Sequence, residues 1–285
     1  MTPITLIDGP MGSQLNQRGV ATDLPLWSAA AIDQAPDIMA AIHRDYVAAG
    51  ATVHTANTFR TQRHVAGEAW QRLARKAVRL ARENAGGQRV AGSIAPLRDC
   101  YRPDLSPPNP RPEHNAMATL LADAGCDLLL CETFPHLGEA VVATAEAAGT
   151  GLETWVALTA GPEADLLTPA QMAEGAKQVV DGGAAAVLVN CIPAAETLRF
   201  VVALEQANLG VPLGAYANAG SVDDQIGWRA PAEAGAERYL QFVRQWVDAG
   251  ATIVGGCCGT GPPHIEAISR YYSAPVSYTH LRAHE

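Results

Sequence analysis

The stretch AERYLQFVRQWVDAGATIVGGCC, residues 236–258, contains the unit on which the fold prediction depends. Its first part is amphipathic with a helical period and ends at Gly250, a residue suited to the left-handed turn that follows a helix. Its second part is a short and continuously apolar run, which is typical of a parallel strand covered by helices. A helix, a glycine and a buried strand therefore follow one another directly.

The same unit recurs along the chain. Eight strand-like runs occur, at residues 4–9, 51–58, 89–96, 127–133, 154–160, 185–191, 212–219 and 252–258. Ala-rich amphipathic segments separate them, and glycines mark the helix ends at positions 50, 86, 125, 149, 183, 210 and 250. A unit of about thirty residues repeated in this way predicts a (β/α)8 TIM barrel, a single domain over residues 1–272. An open doubly wound sheet is the alternative.

Composition narrows the class of protein. The formal net charge is -9 and the mean hydropathy is +0.02. The acidic balance disfavours nucleic acid and anionic membranes as partners, and no apolar run approaches membrane-spanning length. The N-terminal residues lack the basic region of a secretory signal, so we expect a cytoplasmic protein that binds a small molecule. The sequence is compatible with a homo-oligomer and does not decide the oligomeric state.

The last residues, SAPVSYTHLRAHE (273–285), follow the final predicted helix and do not continue the barrel pattern. We expect a disordered tail or a foreign sequence there. Its two histidines are therefore not counted as ligands.

Loop lengths indicate which end of the barrel carries the functional site. Connections from helix to strand are only a few residues long, whereas those from strand to helix include residues 10–35, 98–114 and 220–231. Long loops at the carboxyl ends of the strands are where barrel enzymes place their chemistry. Groups at those ends are therefore candidate site residues.

Polar and sulfur groups end most of the predicted strands. They are Asp8 with Gly9, Thr55 with Asn57 and Thr58, Ser93, Glu132 with Thr133, Asn190 with Cys191, Asn218, and Cys257 with Cys258. For any one such residue, a satisfied polar group in a turn is the more common role. The convergence of the whole set on one face indicates a site.

Three of the six cysteines, Cys191, Cys257 and Cys258, belong to this set. Adjacent cysteines are poorly placed to form a disulfide with each other, and six cysteines do not make a disulfide scaffold of a chain this size. In a barrel, strands six and eight lie close enough for three thiolates to reach one ion. Thiolates favour zinc over magnesium or calcium, and three protein ligands leave the fourth position open, as in catalytic sites. The spacing of the three cysteines along the sequence is weak evidence for a metal site when taken alone.

The glycine-rich stretch around Cys257 and Cys258 is also compatible with two different functions. Its glycines suit a phosphate-binding loop, as in a metal-free barrel lyase or isomerase. A non-catalytic zinc or thiol-sensing protein is the second alternative. A Schiff base is disfavoured because the only lysines, Lys76 and Lys177, fall inside predicted helices.

Six motifs, in order along the chain, resemble the homocysteine S-methyltransferases. They are DGPMGSQL from residue 8, TANTF from 55, CET from 131, VNC from 189, YANAG from 216 and GATIVGGCCGTGPPHI from 250. The likeness covers residues 4–270. That family includes betaine-dependent and S-methylmethionine-dependent enzymes and the homocysteine module of cobalamin-dependent methionine synthase. The resemblance implies a zinc-containing methyltransferase of methionine biosynthesis, with homocysteine and a small methyl donor as its partners.

The same resemblance implies roles for individual residues. Zinc is held by Cys191, Cys257 and Cys258, and the homocysteine sulfur becomes the fourth ligand. The substrate-binding residues are Asp8, Gly9, Thr55, Asn57, Thr58, Glu132 and Asn218. The donor is left open among S-methylmethionine, S-adenosylmethionine, betaine and similar molecules. Tyr101, Trp228 and Asp223 or Asp224 lie in loops at the rim and offer ring or carboxylate contacts to a cationic donor, although packing of the rings on their own helices is equally compatible.

Overall fold

The computed structural model describes residues 3–219 and 232–273, in which eight strands alternate with helices. The strands are β1 Thr5–Leu6, β2 Val53–Ala56, β3 Arg89–Ile94, β4 Leu128–Phe134, β5 Glu153–Leu158, β6 Ala186–Pro193, β7 Leu213–Asn218 and β8 Ala251–Gly256. The helices are α1 Met11–Gln17, α2 Ala31–Gln34, α3 Pro36–Ala48, α4 Arg63–Ala66, α5 Trp70–Asn84, α6 Arg111–Asp123, α7 Leu137–Ala148, α8 Pro169–Asp181, α9 Ala194–Gln206, α10 Ala232–Asp248 and α11 Pro262–Ser273. Three short 3-10 turns lie in the loops, at Trp27–Ala30, Gly67–Ala69 and Pro103–Leu105.

The strands form a closed parallel barrel. Their order in the sheet is β1-β8-β7-β6-β5-β4-β3-β2, and every pairing is parallel. The ring closes between β1 and β2, where Ile7 bridges to Val53 and the amide of Asp8 donates to the carbonyl of Val53 at 2.9 Å. The predicted (β/α)8 barrel is therefore confirmed, and the alternative of an open doubly wound sheet is wrong.

Two apolar layers hold the barrel together. The interior of the barrel is filled by a small cluster that includes Ile7, Leu130, Trp155 and Tyr216. A larger layer lies between the strands and the surrounding helices. The strands are thus buried on both faces, which is why they are continuously apolar in sequence rather than alternating.

The glycines expected at the helix ends take the left-handed conformation with one exception. Positive φ angles occur at Gly50, Gly86, Gly125, Gly183, Gly210 and Gly250. Gly149 instead has a φ of -60°, still in the right-handed region, and Gly151 makes the left-handed turn with a φ of 82°. Gly149 still marks the end of α7, as predicted, and the left-handed turn comes two residues later because a short extra turn separates α7 from β5.

Two predicted features lie outside the described residues. One is the part of the loop after β7 that carries Asp223, Asp224 and Trp228, and the other is the tail from residue 274 onward. Within the described residues, no helix combines the length and the apolar character needed to cross a membrane.

Candidate metal centre and active site

A cavity of about 340 Å³ opens at the carboxyl ends of the strands. Of the residues predicted for the site, those that line it are Asp8, Gly9, Thr55, Asn57, Glu132, Cys191, Cys257 and Cys258. Thr58 and Asn218 do not line it. The barrel therefore brings eight of the ten predicted residues to one cavity, although they come from widely separated parts of the chain.

The thiols of Cys191, Cys257 and Cys258 form a compact group, which we call the cysteine cluster. Their three sulfur atoms lie within 4.8 Å of one another. Cys191 is buried, whereas Cys257 and Cys258 are partly exposed to the cavity. A ligand can therefore approach the cluster from the cavity side.

The backbone at Cys191 turns its side chain toward the cluster. The register of β6 shifts between Asn190 and Pro193, and Cys191 has a φ of 56°. Thr133, at the matching irregularity in β4, has a φ of 64°. The Asn190 amide side chain bonds to both the backbone N–H and the hydroxyl of Thr133, at 3.2 and 2.8 Å. Left-handed non-glycine residues cost roughly 1–3 kcal/mol each and persist only where their surroundings fix them, which is common at functional sites.

The glycines around Cys257 and Cys258 allow a tight turn. A side chain at Gly256 would place its Cβ 2.2 Å from the hydroxyl oxygen of Thr260, and Gly259 has a φ of 80°. The Gly259 amide also donates to the Ser13 hydroxyl at 3.0 Å, which fixes the turn against α1. These glycines therefore have a steric role and need no phosphate ligand to account for them.

The charge of the cysteine cluster suits a soft divalent cation. Hydrogen bonds from the thiols of Cys191 and Cys257 hold the pKa of Cys258 well below its ordinary value. A second and a third ionisation would place like charges within 4.8 Å of each other, which is unfavourable without a cation. Three thiolates at this spacing with one open side fit the donor set of a tetrahedral metal site.

Tyr101, from the loop after β3, reaches the cysteine cluster. Its hydroxyl lies 3.0 Å from the sulfur of Cys191. Burial raises the pKa of Tyr101 well above its ordinary value, so the phenol keeps its proton at neutral pH and can donate it to a thiolate. The long loop after β3 thus contributes a hydrogen-bond donor to the site.

Two carboxyl groups, Asp8 and Glu132, line another part of the same cavity. Burial raises the pKa of both, and that of Asp8 rises well above its usual value. The amide of Thr55 donates to Asp8 Oδ2 at 3.0 Å, and the hydroxyls of Ser93 and Tyr216 donate to the two oxygens of Glu132. Desolvated carboxyl groups held in fixed positions favour a cationic ligand group such as an ammonium.

The side chains of Asn57 and Thr58 bond to neighbouring segments of the barrel rim rather than facing a ligand. Asn57 exchanges two hydrogen bonds with Ser28, accepting from its hydroxyl at 2.7 Å and donating to its carbonyl at 2.8 Å. Thr58 donates to the carbonyl of Ser93 at 2.7 Å. Asn218 is 9% exposed, and its side-chain oxygen is buried without a hydrogen-bond partner among the described residues. Asn57 and Thr58 therefore hold the loops that shape the cavity.

A second group of metal-ligand atoms was not foreseen from the sequence. Asp8, His43 and His54, which we call the histidine cluster, also place one ligand atom each within 4.8 Å of one another. All three residues are buried, and the two rings meet edge to face with centroids 6.2 Å apart. Burial lowers the pKa of His43 to about 3 and that of His54 to about 4, so both are neutral at pH 7. His43 lies on α3, and no spacing in the sequence connects it with Asp8.

Several further residues of the cavity were not among those predicted. They are Leu24, Trp27, Phe59, Arg60, Cys100 and Tyr216, among others, whereas Ser93 and Thr133 were among the strand-end groups expected there. Tyr216 and Phe59 fall inside the motifs YANAG and TANTF, so those motifs pointed to them. Trp27 and Arg60 carry no comparable signal, because their approach to the cavity depends on how the loops fold.

An open cysteine cluster beside two carboxyl groups, at the carboxyl ends of a (β/α)8 barrel, is typical of a barrel enzyme, and its three thiols are a donor set that could hold a metal ion. Comparisons with known proteins agree that the chain is a barrel enzyme. The family model described as homocysteine S-methyltransferase matches residues 5–272. The chain is 33% identical to the homocysteine S-methyltransferase of Escherichia coli strain K12, over 93% of this chain and 94% of that protein. The chain belongs to the homocysteine S-methyltransferase family.

Other relatives and solved structures support the same assignment. The homocysteine S-methyltransferase YbgG of Bacillus subtilis is 28% identical over 94% of both chains. The metallated form of the homocysteine methyltransferase MmuM from Escherichia coli superimposes with a TM-score of 0.76 at 26% identity, covering 94% of this chain and 96% of that one. The predicted family, enzyme class and fold are thus confirmed.

Proposed function

We propose that this enzyme transfers a methyl group from a small donor to the thiol of homocysteine, forming methionine, and that it uses zinc. The observation that carries the proposal is the cysteine cluster, whose three sulfurs lie within 4.8 Å of one another at an open cavity. All six cysteines are free thiols, which fits a reducing compartment such as the cytoplasm.

Cys191, Cys257 and Cys258 would hold the zinc ion. Zinc bound there would deprotonate the incoming homocysteine thiol, whose pKa is otherwise near 8.5, and so supply a thiolate at neutral pH. The backbone turn at Cys191 and the glycine turn around Cys257 fix the three donors before substrate arrives. The Tyr101 hydroxyl donates to Cys191 and lowers the electron density on that sulfur, which directs the methyl group to the substrate sulfur instead.

Asp8 and Glu132 would bind the ammonium group of homocysteine. Each is fixed by a donor of its own, the Thr55 amide for Asp8 and the Tyr216 and Ser93 hydroxyls for Glu132. Their desolvation makes an incoming cation favourable and strengthens its attraction. With the amino-acid end fixed there, the sulfur end can extend toward the cysteine cluster in the same cavity.

Methyl transfer then depends on holding two atoms in line. The homocysteine sulfur attacks the methyl carbon, a new S–C bond forms, and the bond from that carbon to the donor's sulfur or nitrogen breaks. The donor leaves with the electron pair of the broken bond, and the thiol proton passes to solvent. Leu24, Trp27 and Phe59 form an apolar part of the wall, where they limit access of water to the methyl group. Proximity of this kind can supply a large part of the rate enhancement.

The test combines metal content with a panel of donors. Protein purified under reducing conditions is expected to contain about one zinc per chain, as measured by elemental analysis. Homocysteine is then mixed with S-methylmethionine, S-adenosylmethionine, betaine or methyl-folate, and methionine is quantified. Absence of zinc would favour a metal-free barrel enzyme. Zinc without methionine from any donor would favour a binding or sensing protein, and either result would overturn the proposal.

A further inference from the structure

Arg60 is a cation in the wall of the cavity that has no acidic partner among the described residues. It follows β2, lines the cavity and is half-buried. In the described part of the chain, its buried Nε atom finds no hydrogen-bond acceptor, and Arg60 takes part in no ion pair. A buried N–H donor without an acceptor is costly, so the Nε side of the guanidinium is available to a ligand in the cavity.

An anion is the ligand that suits this guanidinium best. Arg60 is the only lysine or arginine among the described residues that line the cavity, whose other ionisable groups are the carboxyls of Asp8 and Glu132, the thiols and Tyr101 and Tyr216. It forms no ion pair with Asp8 or Glu132, although they share its cavity. The guanidinium therefore remains available for a carboxylate, the anion that its planar pair of donors fits best in a small organic ligand.

Contacts of Arg60 place it on the aromatic side of the cavity. Its guanidinium carbon lies 5.7 Å from the centroid of the Phe59 ring, and Phe59 meets Trp27 edge to face with centroids 6.1 Å apart. Burial raises the pKa of Cys100 to about 12, and the charge of Arg60 acts against that rise. Arg60 thus adjoins the loop after β3, the loop that brings Tyr101 to the cysteine cluster.

We propose that Arg60 binds the carboxylate of the methyl donor and so contributes to the choice among donors. This inference rests on the methyl transfer proposed above. Trp27 offers an aromatic ring to the methylated cation while Arg60 holds the opposite charge. The carboxylate of homocysteine fits less well, because the adjoining ammonium group is assigned to Asp8 and Glu132, and Arg60 forms no ion pair with either of them among the described residues.

The experiment compares two donors that differ only in this charge. S-Methylmethionine and its carboxamide both carry the sulfonium centre, and the carboxamide lacks the carboxylate. Methyl transfer to saturating homocysteine is measured with each donor for the wild type, Arg60→Gln, Arg60→Lys and Arg63→Gln. Arg63 is an exposed neighbour and serves as the matched control.

Arg60→Gln is expected to lower kcat/KM for S-methylmethionine roughly 10- to 100-fold, the loss of one charge-assisted hydrogen-bonded pair. The carboxamide should be affected less than about threefold by the same change, since it makes no charged contact. Arg60→Lys should retain part of the preference for S-methylmethionine over the carboxamide. The KM of homocysteine and all parameters of Arg63→Gln should stay at the wild-type values.

Two outcomes would overturn the inference. A loss of equal size with both donors would make Arg60 a structural residue, and a rise in the KM of homocysteine alone would assign it to the acceptor. If the wild type forms no methionine with any donor, the proposed function fails separately. In that case, calorimetric titration of both donors into the wild type and into Arg60→Gln decides. The inference is supported only if the wild type binds S-methylmethionine more tightly than the carboxamide and Arg60→Gln does not.

Discussion

The cysteine cluster and the histidine cluster satisfy the same distance condition, with ligand atoms within 4.8 Å of one another, yet they differ in burial, charge and backbone conformation. The cysteine cluster lies on the cavity side of two strand ends and contains a residue with strained backbone, Cys191. In the histidine cluster both rings are fully buried and only Asp8 lines the cavity, and none of the three residues has a positive φ angle. Proximity of ligand atoms alone therefore does not define a metal centre. Access, charge and a fixed backbone are needed as well.

The position of His54 accounts for the second cluster without a metal. Val53 points into the barrel and Thr55 lines the cavity, so His54 points outward between β2 and the helices. There it meets His43 of α3, while Asp8 Oδ2 lies 3.8 Å from the His54 Nδ1 atom and accepts a hydrogen bond from the Thr55 amide. The two neutral rings form part of the packed layer behind Asp8. We therefore expect one metal per chain, at the cysteine cluster.

Replacing Cys191 by alanine is expected to have the largest effect. Zinc should fall from about one equivalent per chain to less than about 0.1, and methionine formation should fall by about a thousandfold or more. Loss of a residue that merely orients a ligand already costs about 10- to 100-fold, and a ligand itself contributes more. Elemental analysis and the methionine assay measure the two quantities.

The matched control is Cys126→Ala, because Cys126 is a buried thiol in the apolar layer. It should keep its zinc and most of its activity despite some loss of stability. Retention of a full equivalent of zinc by Cys191→Ala would instead assign the metal to Asp8, His43 and His54, and would reverse the comparison.

An intermediate effect is expected when His43 is replaced by leucine and stability is measured against pH. The pKa of His43 is about 3 in the folded protein and 6.5 in the unfolded chain. Between pH 6.5 and pH 3 the unfolded chain binds more protons at His43 than the folded protein does. The free energy of unfolding therefore keeps its full contribution from neutral His43 above pH 6.5 and loses it as the pH falls toward 3. At pH 5 the free energy of unfolding of the wild type should be lower by about 2 kcal/mol because of His43, and His43→Leu should not show that decrease.

Urea unfolding at pH 8 and pH 5 provides the measurement. Asp8, whose pKa is raised by burial, acts in the opposite sense, so the informative quantity is the difference between variant and wild type at each pH. Met39→Leu, one turn earlier on α3, is the control and should shift stability equally at both values. Two results would contradict the interpretation that the two rings are neutral packing groups. One is that added zinc stabilises Cys191→Ala against unfolding, and the other is that His43→Leu shows the same pH dependence of stability as the wild type.

The difference between the clusters also shows how far the sequence alone could lead. Cys191 and the Cys257–Cys258 pair were predictable because strand order in a barrel places the ends of β6 and β8 near each other. The bonding of Asn57 to Ser28 was not predictable, since a polar side chain at a strand end can face either the cavity or a neighbouring loop. Arg60 and Tyr101 reach the cavity through loop conformation, which periodicity does not encode.

The smallest expected effect separates two tyrosines of the same cavity. Tyr101 bonds to Cys191 at 3.0 Å and Tyr216 to Glu132 at 3.0 Å, so each serves a different part of the site. Tyr101→Phe should weaken zinc binding about 3- to 10-fold in competition with a chelator, the worth of one hydrogen bond to a ligand, with the stoichiometry unchanged. Tyr216→Phe should leave zinc affinity unaltered and raise the KM of homocysteine about 2- to 10-fold instead. The two variants should differ because a hydroxyl that bonds only to a carboxylate has no direct influence on thiolate ligands. Equal changes in zinc affinity would therefore mean that the two parts of the site act as one unit.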